Sequence, residues 1–260
     1  MRSFKRIDVL GCPFDAISFG ETADYIRQAI VEHRRVQIVT GNIDFVMKAR
    51  RDPVFARELR DADLVVADGV PILWAADLLG TPLKGRVNGT DLVWKCAELS
   101  HELGFGIAFV GGDYANSVAA AENLKSRYPR ATILPLLTPF PLNAEASSVL
   151  IEQVRTANAK IVLAALGAPK QERWLSAHLE ETGASVGMGI GSAFDIISGK
   201  LRRAPRWMQR GGLEWFHRML LEPRRLGRRY LLENSPFVPA LALEIARRKL
   251  AKQRVASPGR

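Results

Sequence analysis

Cysteine is scarce in this sequence. There are two in 260 residues, Cys12 and Cys96, far apart and in no metal-ligand spacing. That excludes a disulfide framework and fits a reduced, cytoplasmic protein. The four histidines, His33, His101, His178 and His217, are isolated, and no His/Asp/Glu cluster with ligand spacing accompanies them. No stretch approaches the ~20 uncharged apolar residues of a membrane span, so any membrane contact is expected to be peripheral. The first fifteen residues lack the long apolar segment of a signal peptide. The dinucleotide fingerprint G-x-G-x-x-G and the phosphate loop G-x-x-x-x-G-K-[ST] are both missing. Usual NAD binding and P-loop chemistry therefore have no support.

What is abundant is apolar content, 47% of the chain, enough for a packed core. Charge is distributed unevenly. The net charge is +10, yet residues 1–199 carry −2 and residues 200–260 carry +12. The excess belongs to the tail and points to a localised anionic partner: phosphate groups, nucleic acid or an anionic lipid surface.

Short apolar, β-branched runs alternate with helically spaced segments. Strands are expected over 6–10, 36–40, 64–67, 106–110, 131–137, 160–166 and 185–189. Helices are expected over 22–34 with Thr22 as N-cap, from 44, after Pro53, and over 71–79, 90–103, 114–128 and 143–158, with another running to about 181. The pattern predicts an α/β fold: a Rossmann-like, mostly parallel sheet with helices on both faces, followed by a basic helical C-terminal appendage. We divide the chain into a core over 1–200, an arginine-rich appendage over 201–235, and a basic amphipathic tail over 236–260, disordered from about residue 254.

In open α/β sheets ligands bind outside the carboxyl ends of the strands. That rule selects TGN (40–42), ADG (67–69), GG (111–112), GAPKQE (167–172) and GIG (189–191). Glycines after strands also serve ordinary tight turns. Thr40, Asn42 and Gln171 offer neutral groups suited to sugar hydroxyls or an amide. Gly111 and Gly112 precede a helix N-terminus that a phosphate could approach. Asp68 follows its strand directly, where a carboxylate can accept a proton from a substrate hydroxyl. It can equally cap the next helix, with Pro71 in the first turn. Asp61-Ala62-Asp63 has the D-x-D form of a sugar-transferase metal site but precedes its strand, and reads as a solvated turn at the wrong end of the sheet.

Together these blocks resemble a known family. TGN, ADG, RVNGTD (86–91), FVGG (109–112), LGAPKQE (166–172), RAP (203–205) and GLEW (212–215) are similar, over roughly residues 7–232, to the WecG/TagA/CpsF glycosyltransferases. The resemblance implies an inverting, metal-independent transferase without cofactor. Such enzymes move a sugar, often N-acetylmannosamine or its uronic acid, from UDP to a polyprenyl-diphosphate-linked acceptor in bacterial surface-polysaccharide synthesis. It assigns the catalytic base to Asp68 and substrate contacts to Thr40, Asn42, Arg86 and Gln171. It also has the appendage deliver Arg218, Arg225 and Arg228 to the UDP diphosphate and help hold the enzyme on the inner face of the cell membrane.

The apolar residues Trp207, Leu213, Trp215, Phe216, Met219, Leu220 and Leu226 are too many for a free helix and must meet core or lipid. Arg206, Arg210, Arg224 and Arg229 are placed against anionic headgroups, each basic group near such a surface being worth ~1 kcal/mol. Three rivals stand beside this account. A UDP-glucose or other hexose transferase of the same family differs only in donor. A nucleotide-sugar-binding protein without catalysis leaves Asp68 unexplained. A nucleic-acid-binding regulator lacks any base-reading motif, so nucleic acid is not expected as a partner. Homo-oligomerisation is left open.

Overall fold

Six apolar runs of four to seven residues pair into one sheet. In the computed structural model, residues 4–256 are described, apart from the side chains of Arg225 and of residues 252–256. The elements in chain order are β1 (Arg6–Val9), β2 (Cys12–Asp15), α1 (Phe19–Val31), β3 (Val36–Gly41), α2 (Ile43–Ala49), α3 (Pro53–Asp61), β4 (Leu64–Ala67), α4 (Val70–Leu78), α5 (Gly89–Leu103), β5 (Gly106–Gly111), α6 (Tyr114–Arg127), β6 (Thr132–Pro135), α7 (Ala144–Thr156), β7 (Ala159–Ala165), α8 (Lys170–Thr182), β8 (Val186–Gly189) and α9 (Ala193–Ile197). The appendage follows as α10 (Arg206–Arg210), α11 (Glu214–Leu221), α12 (Pro223–Arg228), a π-helical turn (Arg229–Glu233) and α13 (Phe237–Ala256).

The sheet order is β4-β3-β8-β7-β5-β6, and every pairing is parallel. Alternate strand residues face opposite layers. Ile38, Leu64, Val66, Ile107, Phe109, Leu163 and Met188 point to a core filled from α1, α5, α6 and α9. Val39, Val65 and Ala67 meet α2, α3, α4 and β1–β2, while Ala108, Val110, Val162 and Ala164 meet α7 and α8. The expected sheet with helices on both faces is present.

Four local expectations change. Residues 6–10 do not join the main sheet. Leu10 and Gly11, at φ 57° and 87°, make a two-residue turn, so β1 folds back on β2 as an antiparallel hairpin. The first helix begins at Phe19, capped by Ser18, whose oxygen accepts the Glu21 N–H while Glu21 reaches back to the Ser18 amide. Thr22 lies inside that helix and bonds to the Ser18 carbonyl, so it is not the cap. The short helix α9 had no expected counterpart.

The last change concerns the tail. Helix α13 buries Phe237 and packs Ala240, Leu241 and Ile245 on the core cluster shared by α2, α4 and the hairpin. Arg248 adds hydrogen bonds to the carbonyls of Leu79 (3.3 Å) and Asp8 (3.5 Å). The tail is therefore docked rather than free through most of its length. The disorder expected from residue 254 falls on a helix as far as Ala256, and its remainder lies outside the described residues.

Candidate functional site

The carboxyl ends of β3, β4, β5, β7 and β8 open into one cleft of about 600 Å³. It is lined by Thr40, Asn42, Asp68, Arg86, Gly112 and Gln171 from the core, and by Glu214, Trp215, Arg218 and Arg229 from the appendage. The volume falls in the range of small-molecule sites, ~300–1,000 Å³.

Asp68 sits where β4 ends. Its N–H donates to the Gly41 carbonyl (2.8 Å), and the Val87 N–H donates to the Ala67 carbonyl (2.9 Å). These two bonds bring the Arg86–Asn88 segment alongside the carboxylate. Asn88 Nδ2 donates to Asp68 Oδ1 (2.8 Å) and the Gly89 N–H to Oδ2 (3.3 Å). The cap of α4 is instead Gly69, with no side-chain bond. The capping alternative for Asp68 is thereby removed. Its side chain keeps 20% exposure, toward the cleft. Burial pushes the Asp68 carboxyl up to about 6; Arg86 lowers it, the Glu214 charge raises it, and the Gly89 and Asn88 bonds lower it. That is the range in which a carboxylate serves well as a general base near neutral pH.

The other core residues have distinct placements. Thr40 Oγ1 donates to the Gly189 carbonyl (2.8 Å), tying β3 to β8. Asn42 Oδ1 caps α2 by accepting the Asp44 N–H (3.0 Å). Gly112 lines the cleft at φ 74°, while the Gly111 N–H, at the end of β5, donates to Thr138 Oγ1 (2.7 Å). Asp113 caps α6 by accepting the Asn116 N–H (3.1 Å). A carboxylate therefore stands at the N-terminus reserved in the sequence reading for phosphate.

Gln171 is 2% exposed, and both its amide oxygen and its amide nitrogen are hydrogen-bonded. Oε1 accepts the N–H groups of Gly167 and Gly191 (both 3.2 Å), and Nε2 donates to Glu172 Oε1 (2.7 Å). The side chain thus braces the loops after β7 and β8. Gly189 makes room for it, since a Cβ there would lie 2.4 Å from Gln171 Nε2. Burial also pushes the Glu172 carboxyl up to about 7, against the lowering effect of the Gln171 bond.

The appendage reaches the same cleft. Arg86 bonds to Glu214 and lies 3.9 Å from Asp68 Oδ1. Arg203 is held by both oxygens of Asp91 (2.6 and 2.8 Å). Asp44 takes hydrogen bonds from Lys48 Nζ (2.7 Å) and from Arg229, and Lys48 continues to the Ala168 carbonyl (2.8 Å). Arg218 lines the cleft with Nη2 3.8 Å from Glu222. The Arg225 side chain lies outside the described residues.

Arg228 and Arg229 exchange the places expected of them. Arg228 is 81% exposed, with Nε 3.7 Å from Glu233 and no part in the cleft lining. Arg229, expected at the membrane, enters the cleft. The chain passes from α-helix to π-helical turn between these two residues, which changes the angular step from one side chain to the next.

Asp61 and Asp63 lie at the amino end of β4, away from the cleft, and Asp63 Oδ2 accepts the Gln37 N–H (2.8 Å).

The sequence model of the glycosyl transferase WecG/TagA/CpsF family matches residues 7–251. The chain belongs to this family. It is a glycosyltransferase. Similar curated proteins include the N-acetylglucosaminyldiphosphoundecaprenol N-acetyl-beta-D-mannosaminyltransferases of Staphylococcus aureus strains NCTC 8325, COL and MRSA252. Each is 26% identical over 225 residues, 86% of this chain and 87% of the relative. The WecG/TagA/CpsF match runs beyond residue 232, where the resemblance was expected to end, and takes in most of α13.

Four residues at this site were not singled out for it in the sequence: Asn88, Arg203, Glu214 and Arg229. Asn88, Arg203 and Glu214 stand inside blocks already quoted for the WecG/TagA/CpsF family, and that was the available signal. Arg229 carried none beyond its basic charge.

Proposed function

We propose that the protein transfers an N-acetylmannosamine-type hexosamine from a UDP donor to a polyprenyl-diphosphate-linked sugar, with inversion and without a metal. The carrying observation is Asp68: a partly exposed carboxylate, oriented by Asn88 and Gly89, in a cleft that also holds arginines from a second structural unit. The relatives' names supply the sugar and the lipid-diphosphate acceptor.

A single displacement accounts for inversion. The acceptor hydroxyl attacks the anomeric carbon, the bond to UDP breaks, and Asp68 takes the hydroxyl proton. Such a base typically contributes ~10²–10⁴-fold. Charge developing on the leaving diphosphate needs fixed donors, and planar guanidinium groups suit phosphate oxygens. Arg218 and Arg229 are the cleft arginines in position for this. Arg229 would exchange its Asp44 partner for phosphate, and Arg228 would have to swing in to join them. Thr40 and Asn42 flank the sugar, and Gln171 keeps the two loops beneath it in register.

The acceptor is membrane-borne, so the enzyme should work at the cytoplasmic face of the membrane. Trp207, Leu220, Leu231 and Leu232 are exposed on the appendage. No described helix is long and apolar enough to cross a membrane. A donor screen against a synthetic short-chain polyprenyl-diphosphate N-acetylglucosamine tests the reading. UDP-N-acetylmannosamine should give a lipid-linked disaccharide with UDP release, undiminished by EDTA. Transfer only from UDP-glucose would favour the hexose alternative, and loss in EDTA would defeat the metal-free mechanism.

A further inference from the structure

Five side chains, the base Asp68 among them, close into a ring. Asp68 Oδ1 accepts from Asn88 Nδ2 (2.8 Å), and Asn88 Oδ1 accepts from Arg203 Nη2 (3.3 Å). Arg203 Nε lies 3.7 Å from Glu214 Oε1, Glu214 Oε2 takes the hydrogen bond of Arg86, and Arg86 Nη2 lies 3.9 Å from Asp68 Oδ1. Asn88 and Arg86 lead into α5, Arg203 precedes α10, and Glu214 opens α11. The ring therefore crosses from core to appendage and back. Its amide orientation is fixed, because Asn88 Oδ1 also accepts the Asp91 N–H (3.2 Å), leaving Nδ2 for Asp68.

Arg86 has two carboxylates within reach and contacts one. Its guanidinium bonds to Glu214 and stops short of hydrogen-bond distance from Asp68. Its other hydrogen bond, from Nη1 to the Gln209 carbonyl, is long (3.5 Å) and leaves Nη2 able to close the remaining gap once Glu214 is removed. A direct Arg86–Asp68 ion pair would hold the base ionised but make it weak, because a charge-assisted partner stabilises the carboxylate and opposes proton uptake.

We propose that Glu214 is a positioning residue that keeps the Arg86 guanidinium off Asp68, so that docking of the appendage is what readies the base. The proposal rests on the reading of Asp68 as general base. It gives the appendage an electrostatic role at the reacting centre, separate from any contact with diphosphate or lipid. The charged groups facing Asp68 are Arg86, Glu214 and Arg203, with Asp91 behind Arg203; Asp44, Asp195, Arg218 and Arg229 share the wider cleft. The raised proton affinity of Asp68, to which the Glu214 charge contributes, agrees with this geometry.

The test needs no donor. The whole chain, labelled at aspartate carboxyl carbons, is titrated by NMR, with the Asp68 signal assigned by its loss in Asp68→Asn. Glu214→Gln should lower the Asp68 midpoint by on the order of one pH unit. Glu214→Asp keeps the charge and should leave the midpoint near its native position. A latch that merely holds the appendage depends on side-chain length as well as charge, and would move both variants alike. A midpoint that stays or rises in Glu214→Gln, or that falls equally in both variants, overturns the proposal. In the transfer assay, the acid limb of kcat/KM should move down with the Glu214→Gln midpoint. The predicted titration shift without any sugar transfer would leave the electrostatic inference standing and defeat the functional reading instead.

Discussion

At the scale of single residues, Asp68 brings a pH dependence whose sign is fixed by its surroundings. Its folded-state value, about 6, lies above the ordinary 3.8. A carboxyl shifted in that direction binds its proton more tightly when folded. Ionising it therefore costs stability above pH 6, and the cost disappears as pH falls toward 4. Asp68→Asn should be more heat-resistant than the native chain above pH 6, with the advantage shrinking as pH falls from 6 toward 4. Melting curves across that range check it, and an advantage that grows on acidification would contradict the assignment. Thr40, Asn42 and Asp68 were legible in the sequence because strand ends fix where such residues stand, whereas Arg86, in the segment before α5, was legible only through the resemblance of its RVNGTD block. The choice between Arg228 and Arg229 was not. Adjacent arginines look alike in sequence, and the π-helical turn that separates them leaves no compositional trace. Gln171 was legible as a site residue, but not that its amide would be committed to two loop N–H groups.

The elements divide by how local their signals are. The parallel strands announced themselves as apolar runs, all but β6 ending at or close to a glycine. The hairpin β1–β2 did not, because its turn is the ordinary-looking pair Leu10-Gly11 and its second strand contains Pro13. Segment 202–230 looked like a continuous basic stretch, yet Pro205, Gly211-Gly212 and Pro223 cut it into α10, α11 and α12. That cutting matters, since it lets Glu214 and Arg218 on α11 reach the cleft while Arg229 enters from the following turn. A chain ending near residue 201 loses all three, along with Arg203. It should therefore lose at least ~10²-fold in turnover on a water-soluble acceptor analogue, the low end of what removing oriented charge stabilisation costs. Native-like turnover by the shortened chain would show that the appendage serves membrane attachment alone.

For the whole molecule, the uneven charge is the organising fact. A core near neutrality carries a segment with +12, and part of that charge is turned inward, Arg203 onto Asp91 and Arg229 onto Asp44. The outward remainder accompanies exposed apolar side chains, Trp207 at 67% among them, and suits the interface of an anionic bilayer. Flotation with vesicles containing phosphatidylglycerol should retain the full chain at low salt and release much of it at high salt, because surface charge is screened. The chain ending near residue 201 should not float, and equal flotation of the two would contradict a membrane-facing appendage. The composition foretold that a basic surface exists. It did not foretell that α13 is docked on the core, because the burial of Phe237 depends on α2, α4 and the hairpin lying beneath it.

The most direct measurement is single-turnover sugar transfer from UDP-N-acetylmannosamine to polyprenyl-diphosphate N-acetylglucosamine, comparing the native chain with Asp68→Asn. The account predicts a lipid-linked disaccharide of inverted anomeric configuration, formed at a rate ~10²–10⁴-fold lower in the variant. Near-native turnover by Asp68→Asn, or a product with retained configuration, would contradict it.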